Sequence, residues 1–128
     1  MGDTMPAGTR VLLVEDEPLI ALDAQDTLRD SGADEIIWAR NLAEAEAAID
    51  AGGLHAAILD LRLGSDSSLP LAQKLAGLGV PFGFMTGFQD SGLPADLKDR
   101  PFVAKPYSQD QLRHLLKQLI KTDGSVSA

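Results

Sequence analysis

Five polar residues stand at the ends of four short apolar runs: Glu15 and Asp16 after "VLLV", Asp60 after "AAIL", Thr86 after "FGFM" and Lys105 after "FVA". If those ends meet, three carboxylates share one place, and without a counterion their mutual repulsion costs free energy. A hard divalent cation such as Mg²⁺, which prefers oxygen ligands and keeps part of its water shell, removes that cost. Lys105 would add a positive point charge and Thr86 a hydroxyl donor. Carboxylate, cation, lysine and hydroxyl together suit a phosphoryl group, whose charge lies on its outer oxygens. Taken singly, the same residues have plainer uses. Asp60 could form a turn and Asp16 could cap a helix. Thr86 could be a β-branched strand residue, and Lys105-Pro106 only a strand exit.

The elements that must position these residues follow from apolar spacing. The runs "VLLV", "EIIWA", "HAAILD", "PFGFM" and "PFVAK" are short and rich in β-branched and aromatic residues. They read as strands buried on both faces. Pro18 suits the first turn of a helix, with Asp16 or Glu17 near its cap. Ile20, Ala24 and Leu28 recur at helical spacing until Ser31-Gly32 stops them. Asn41 with Glu44 starts a second helix, "LPLAQKLAGLG" carries Leu71, Ala72 and Leu75 inward, and Ser108 with Gln111 forms a capping box before Leu112, Leu115, Leu116 and Leu119. Strands alternating with helices imply a parallel sheet covered on both sides, and right-handed crossovers make it a doubly wound α/β fold. The expected form is flavodoxin-like, five-stranded, in order 2-1-3-4-5, with any site beyond the carboxyl ends of the strands. That order sets strands one and three side by side.

Composition narrows the function. The 128 residues suit one domain, and no apolar run reaches the length of a membrane span. The absence of cysteine excludes disulfides and thiol nucleophiles, and fits a cytoplasmic setting. A net charge of −8 argues against direct nucleic-acid binding. His55 and His114 have no matching ligand set and read as structural.

The segments "VLLVEDEP", "AAILDLRLG", "FGFMTG" and "FVAKPY" together resemble, in order, the signature segments of bacterial response-regulator receiver domains. The resemblance covers nearly the whole chain. It implies that Asp60 is the acceptor of a phosphoryl group from a histidine kinase or phosphotransfer protein. It further implies that Glu15, Asp16, Asp60 and the backbone carbonyl of Arg62 hold Mg²⁺, for which Mn²⁺ can substitute, with Asp16 a direct ligand and Glu15 acting through water. Thr86 and Lys105 would contact phosphoryl oxygens. Phe102, otherwise a plain core residue, would be the family's aromatic switch. The expected layout is a flexible stretch over 1–9, a receiver domain over 10–121 and a flexible tail over 122–128.

"PFGFMTGF" also resembles the motif of stand-alone receivers called the FAT GUY family, with Met85 where alanine is usual, and so implies a phosphorelay of the general stress response. Gly92 and Pro94 interrupt the helical pattern between Gly87 and Pro101, which predicts a short or irregular fourth helix that reorders on activation. The turn after Asp60, "LRLGSDSSLP", departs from the usual receiver pattern through Gly64 and its serines. With no output domain expected after the last helix, the signal would leave through a downstream protein partner, a relay or a phosphate sink. Two other function classes are distinguishable. A receiver-like module that works without phosphorylation has no need of all five site residues. A hydrolase of the haloacid dehalogenase type needs a second aspartate where this chain has Arg62.

Overall fold

The computed structural model describes residues 7–87, 97 and 99–124, with 121–124 described by backbone alone. Along the chain run β1 (Arg10–Val14), α1 (Pro18–Asp30), β2 (Glu35–Ala39), α2 (Leu42–Ala51), β3 (Ala56–Asp60), β4 (Arg62–Leu63), β5 (Asp66–Ser67), α3 (Leu69–Leu78), β6 (Phe82–Thr86), β7 (Phe102–Ala104) and α4 (Gln109–Gly124). The main sheet is parallel with order β2-β1-β3-β6-β7, the flavodoxin-like order 2-1-3-4-5 expected once its five strands are counted along the chain. The short fourth helix expected between Gly87 and Pro101 falls almost wholly outside the described residues. No helix among the described residues is long and apolar enough to cross a membrane.

The strands are apolar without alternation because both faces are covered. Val11, Leu13, Ile58, Met85 and Val103 pack with α1 and α4, while Leu12, Val14, Leu59, Phe82 and Phe84 pack with α2 and α3. Gly83 lies on the α4 face, and its lack of a side chain sets how closely that helix approaches. A Cβ there would stand 2.8 Å from Leu115 Cδ1 and 2.9 Å from the Pro101 carbonyl oxygen. The leucine tip can turn aside, but the backbone oxygen cannot. Gly83→Ala is therefore expected to cost about 2–3 kcal/mol, read as a lower urea midpoint.

Local signals set most helix ends. Asn41 caps α2 by accepting the Glu44 N–H at 2.8 Å. At α4, Ser108 Oγ accepts from the Gln111 N–H at 3.1 Å and Gln111 Oε1 from the Ser108 N–H at 2.8 Å, the reciprocal box expected. α4 continues to Gly124, past the tail boundary expected at 122.

Glu17 is the N-cap residue of α1, in line with the expected placing of Asp16 or Glu17 near the cap, but its side chain makes no cap bond; the Glu17 N–H donates instead to Glu15 Oε2 at 3.1 Å. Of the expected inward residues of α1, Ala24 and Leu28 are buried, together with Ala21 and Thr27, while Ile20 is only partly covered, which corrects its placing. Leu19 and Leu22 face outward, 80% and 56% exposed.

Candidate phosphoryl-acceptor site

Register carries the acidic residues together. Val14 pairs with Leu59, so one step further on Glu15 lies beside Asp60 at the carboxyl edge of the sheet. Asp60 pairs with Met85, and Thr86 with Ala104, which brings Thr86 and Lys105 to the same edge. One oxygen from each of Glu15, Asp16 and Asp60 lies within 4.8 Å of the others. The convergence expected of the three carboxylates is met.

Lys105 joins two of them, its Nζ donating to Asp60 Oδ2 at 2.8 Å and lying 3.3 Å from Glu15 Oε1. Asp60 Oδ1 accepts the Arg62 N–H at 3.3 Å. Glu15 is fully buried and Asp60 only 5% exposed, whereas Asp16 faces solvent. Despite its nearness to Lys105, Glu15 Oε1 receives no hydrogen bond. A buried carboxylate oxygen left in that state carries a desolvation cost. An oxygen-seeking cation held by Glu15, Asp16 and Asp60 would offset that cost, so the residues present fit a divalent metal of the Mg²⁺ type.

The electrostatics agree. Burial pushes the Glu15 carboxyl up to about 7; the Glu17 N–H opposes this, the Asp60 charge adds to it, and Lys105 draws it back. For Lys105, burial alone would lower the ammonium pKa, but the Asp60 hydrogen bond and the Asp60 and Glu15 charges outweigh it and raise it. The sign of the resulting pH dependence is set by Glu15. Its folded form holds a proton more tightly than the ordinary carboxylate value of 4.5 allows, so this group's contribution to stability falls as pH rises from 4.5 through about 7. Without divalent cation, the protein is expected to lose about 2–3 kcal/mol across that window. Glu15→Gln should flatten the curve in urea unfolding, and millimolar Mg²⁺ should do the same for the parent protein.

Neither the protein-family models nor the curated proteins include a match to this chain. Solved structures do match. SdrG from Sphingomonas melonis Fr1 is 39% identical, with a TM-score of 0.74, over 91% of this chain and 99% of its own. SdrG from Pseudomonas melonis Fr1 in its BeF3-activated conformation is 38% identical over the same shares, with a TM-score of 0.74. A CheY-like response-regulator receiver domain from Methylobacillus flagellatus is 25% identical, with a TM-score of 0.74, over 87% of this chain and 98% of its own. This chain belongs to the response-regulator receiver domains. A variant of the anti-anti-sigma factor PhyR from Bartonella quintana is 25% identical, with a TM-score of 0.76, over 96% of this chain and 52% of its own.

Other residues of the receiver stand where tertiary contacts put them. Thr86 is half-buried, and its hydroxyl donates to the Val103 carbonyl at 3.5 Å, a long and weak bond. Its own carbonyl accepts the Lys105 N–H at 2.7 Å. Phe102 is 60% exposed, which overturns its plain reading as core. On the three-residue edge strand β7 only Val103 turns inward, so Phe102 and Ala104 face out. Arg62 presents its side chain to solvent and meets Asp60 through its backbone. His55 Nδ1 accepts the Arg10 N–H at 3.0 Å, the structural use expected, and His114 is exposed on α4.

Three features escaped the sequence. The turn after Asp60 is an antiparallel hairpin, β4 with β5, closed through Gly64 in the left-handed region at φ 62°. A Cβ on Gly64 would stand 4.0 Å from Asp16 Oδ2, so the hairpin tip overlooks the acidic site. Tyr107 donates to Met85 Sδ at 3.4 Å, and burial above all keeps its phenol protonated, with a pKa near 12. Tyr107 lines a groove of about 600 Å³ with Leu19, Ile20, Gly87, Lys105 and Pro106. The third feature is the indole of Trp38, which donates to the Glu15 carbonyl at 2.7 Å.

Proposed function

We propose that this receiver takes a phosphoryl group onto Asp60 from a phosphohistidine of a histidine kinase or phosphotransfer protein. The observation that carries the reading is a nearly buried Asp60 carboxylate bonded at 2.8 Å to Lys105, with two further carboxylates beside it. A carboxylate oxygen of Asp60 attacks phosphorus in line, the P–N bond breaks, and the imidazole leaves with its electron pair. The product is an aspartyl phosphate. Glu15, Asp16, Asp60 and the Arg62 carbonyl would hold Mg²⁺ or Mn²⁺, which supplies neutralisation of the charge on the transferred group. Lys105 follows the developing charge through Nζ, and Thr86 exchanges its weak bond to Val103 for a phosphoryl oxygen.

That exchange pulls the end of β6 toward Asp60 and shifts a two-state equilibrium in which Phe102 rotates inward. The BeF3-activated conformation of its relative SdrG supports an activated state of this kind. The exposed Leu19 of α1, which lines the groove at Lys105, suits a protein donor. Output then passes to a downstream protein partner or onward in a phosphorelay within the cytoplasm. The general stress response is the proposed pathway, supported by "PFGFMTGF" and by the likeness to PhyR. The chemistry is self-phosphorylation and its reversal, without turnover of a separate substrate.

The direct test is incubation with radiolabelled acetyl phosphate, or with a phosphorylated histidine kinase, in the presence of Mg²⁺. A covalent, hydroxylamine-labile label is expected. A protein that stays unlabelled by both donors sinks the reading.

A further inference from the structure

The peptide of Glu15 is gripped twice by the edge strand β2. Its N–H donates to the Ala39 carbonyl at 3.1 Å, and its carbonyl accepts the Trp38 indole N–H at 2.7 Å. The first bond belongs to the parallel ladder. The second is a side-chain bond: β2 ends at Ala39, and the indole supplies a donor that a longer strand's backbone would have supplied. Glu15 is held at a third point, since Oε2 accepts the Glu17 N–H at 3.1 Å. Amide, carbonyl and one carboxylate oxygen are thus fixed, and the oxygen left over, Oε1, is the one facing Lys105 and lacking a hydrogen bond. Trp38 itself is held by packing against the α1–α4 face of the core and by the Arg40 guanidinium, 5.8 Å from its ring centroid.

We propose that Trp38 is a positioning residue for the divalent-cation site: its indole fixes the Glu15 carbonyl and, through that peptide, the aim of the Glu15 and Asp16 carboxylates. The inference rests on the metal reading of the acidic cluster. Groups behind a ligand set its orientation, and their loss weakens metal binding without removing any ligand. Trp38→Phe keeps an aromatic ring against the core and deletes the donor, with part of the indole's bulk.

The test uses Mn²⁺ alone, followed by the electron paramagnetic resonance signal of the free ion. The parent protein is expected to bind Mn²⁺ and Asp16→Asn to lose that binding. Failure of either result removes the metal reading and the inference with it. If both hold, Trp38→Phe is expected to bind Mn²⁺ about tenfold more weakly at unchanged stoichiometry. An affinity within about twofold of the parent's would overturn the role of Trp38 while leaving the site reading intact, whatever happens to the urea midpoint. A second measurement needs no variant. This chain has a single tryptophan, so its indole N–H resonance is unambiguous. Titration with Mg²⁺ is expected to shift that resonance with the same saturation as metal binding, and an unmoved resonance overturns the inference.

Discussion

Asp60→Asn is expected to bring Mg²⁺-dependent phosphoryl labelling to background, a loss of at least about a thousandfold. The amide has the shape of the carboxylate but no anionic oxygen with which to attack phosphorus. It also keeps an oxygen to accept from Lys105, which now donates at 2.8 Å, so the side chains around it have no reason to rearrange. The variant should therefore stay folded, and without metal it should be at least as stable as the parent. Asp60 contributes to holding the Glu15 carboxyl up near 7, and removing its charge lets Glu15 ionise at lower pH. The expected pair of results is lost labelling with an unchanged or raised urea midpoint in the metal-free protein. Undiminished labelling would move the acceptor elsewhere. Lost labelling with a collapsed midpoint would show that Asp60 serves mainly to hold the fold.

Lys105→Met has the next largest effect, because one ammonium group does two things. It faces the proposed site of the phosphoryl group, where loss of one well-placed donor is expected to lower the rate by about a hundredfold. It also lies between two buried carboxylates, 2.8 Å from Asp60 and 3.3 Å from Glu15. Methionine nearly conserves volume, so packing is kept while both anions lose their cation. Breaking a buried pair from one side is costly, but the lysine side chain is a quarter exposed, which moves the expected loss to about 2 kcal/mol at pH 8. The sign with pH follows from Glu15. Lys105 draws its pKa down, so without the lysine the folded state binds the proton still more tightly. The deficit should then be smaller near pH 5, where the Glu15 carboxyl is protonated and the main loss is the bond to Asp60, and grow toward pH 8. Urea unfolding in chelator at both pH values reads it, and added Mg²⁺ should restore part of the loss at pH 8. An equal deficit at both pH values would mean that pairing with the Glu15 carboxylate is not what Lys105 contributes.

The legible parts of this receiver are those written locally. Apolar runs too short for helices gave the strands, and the residues after four of the five runs gave the candidate site. Asn41 and Ser108 announced their helices because capping needs only residues three positions apart. The convergence of Glu15, Asp16 and Asp60 was also foreseeable, since parallel strands of similar length bring their carboxyl ends to one edge. The hairpin β4–β5 was hidden because two-residue strands carry no periodicity. Periodicity placed Ala24 and Leu28 of α1 on the buried face, but it does not record that Ile20 is only partly covered or that Leu19 and Leu22 stand exposed, since those depend on the elements packed against the helix.

By itself, then, the sequence determined the strands and the acidic, hydroxyl and basic groups at their ends, because each depends on residue type and spacing along one segment, and the strand order followed from the rules for right-handed crossovers. Tertiary structure alone decided their condition. Glu15 went deeper than Asp16, Thr86 turned to Val103, Phe102 faced out, and the Trp38 indole reached across to the Glu15 carbonyl. Burial and hydrogen bonding depend on atoms brought from distant segments, and no spacing along the chain records how deep a carboxylate lies or which donor reaches it.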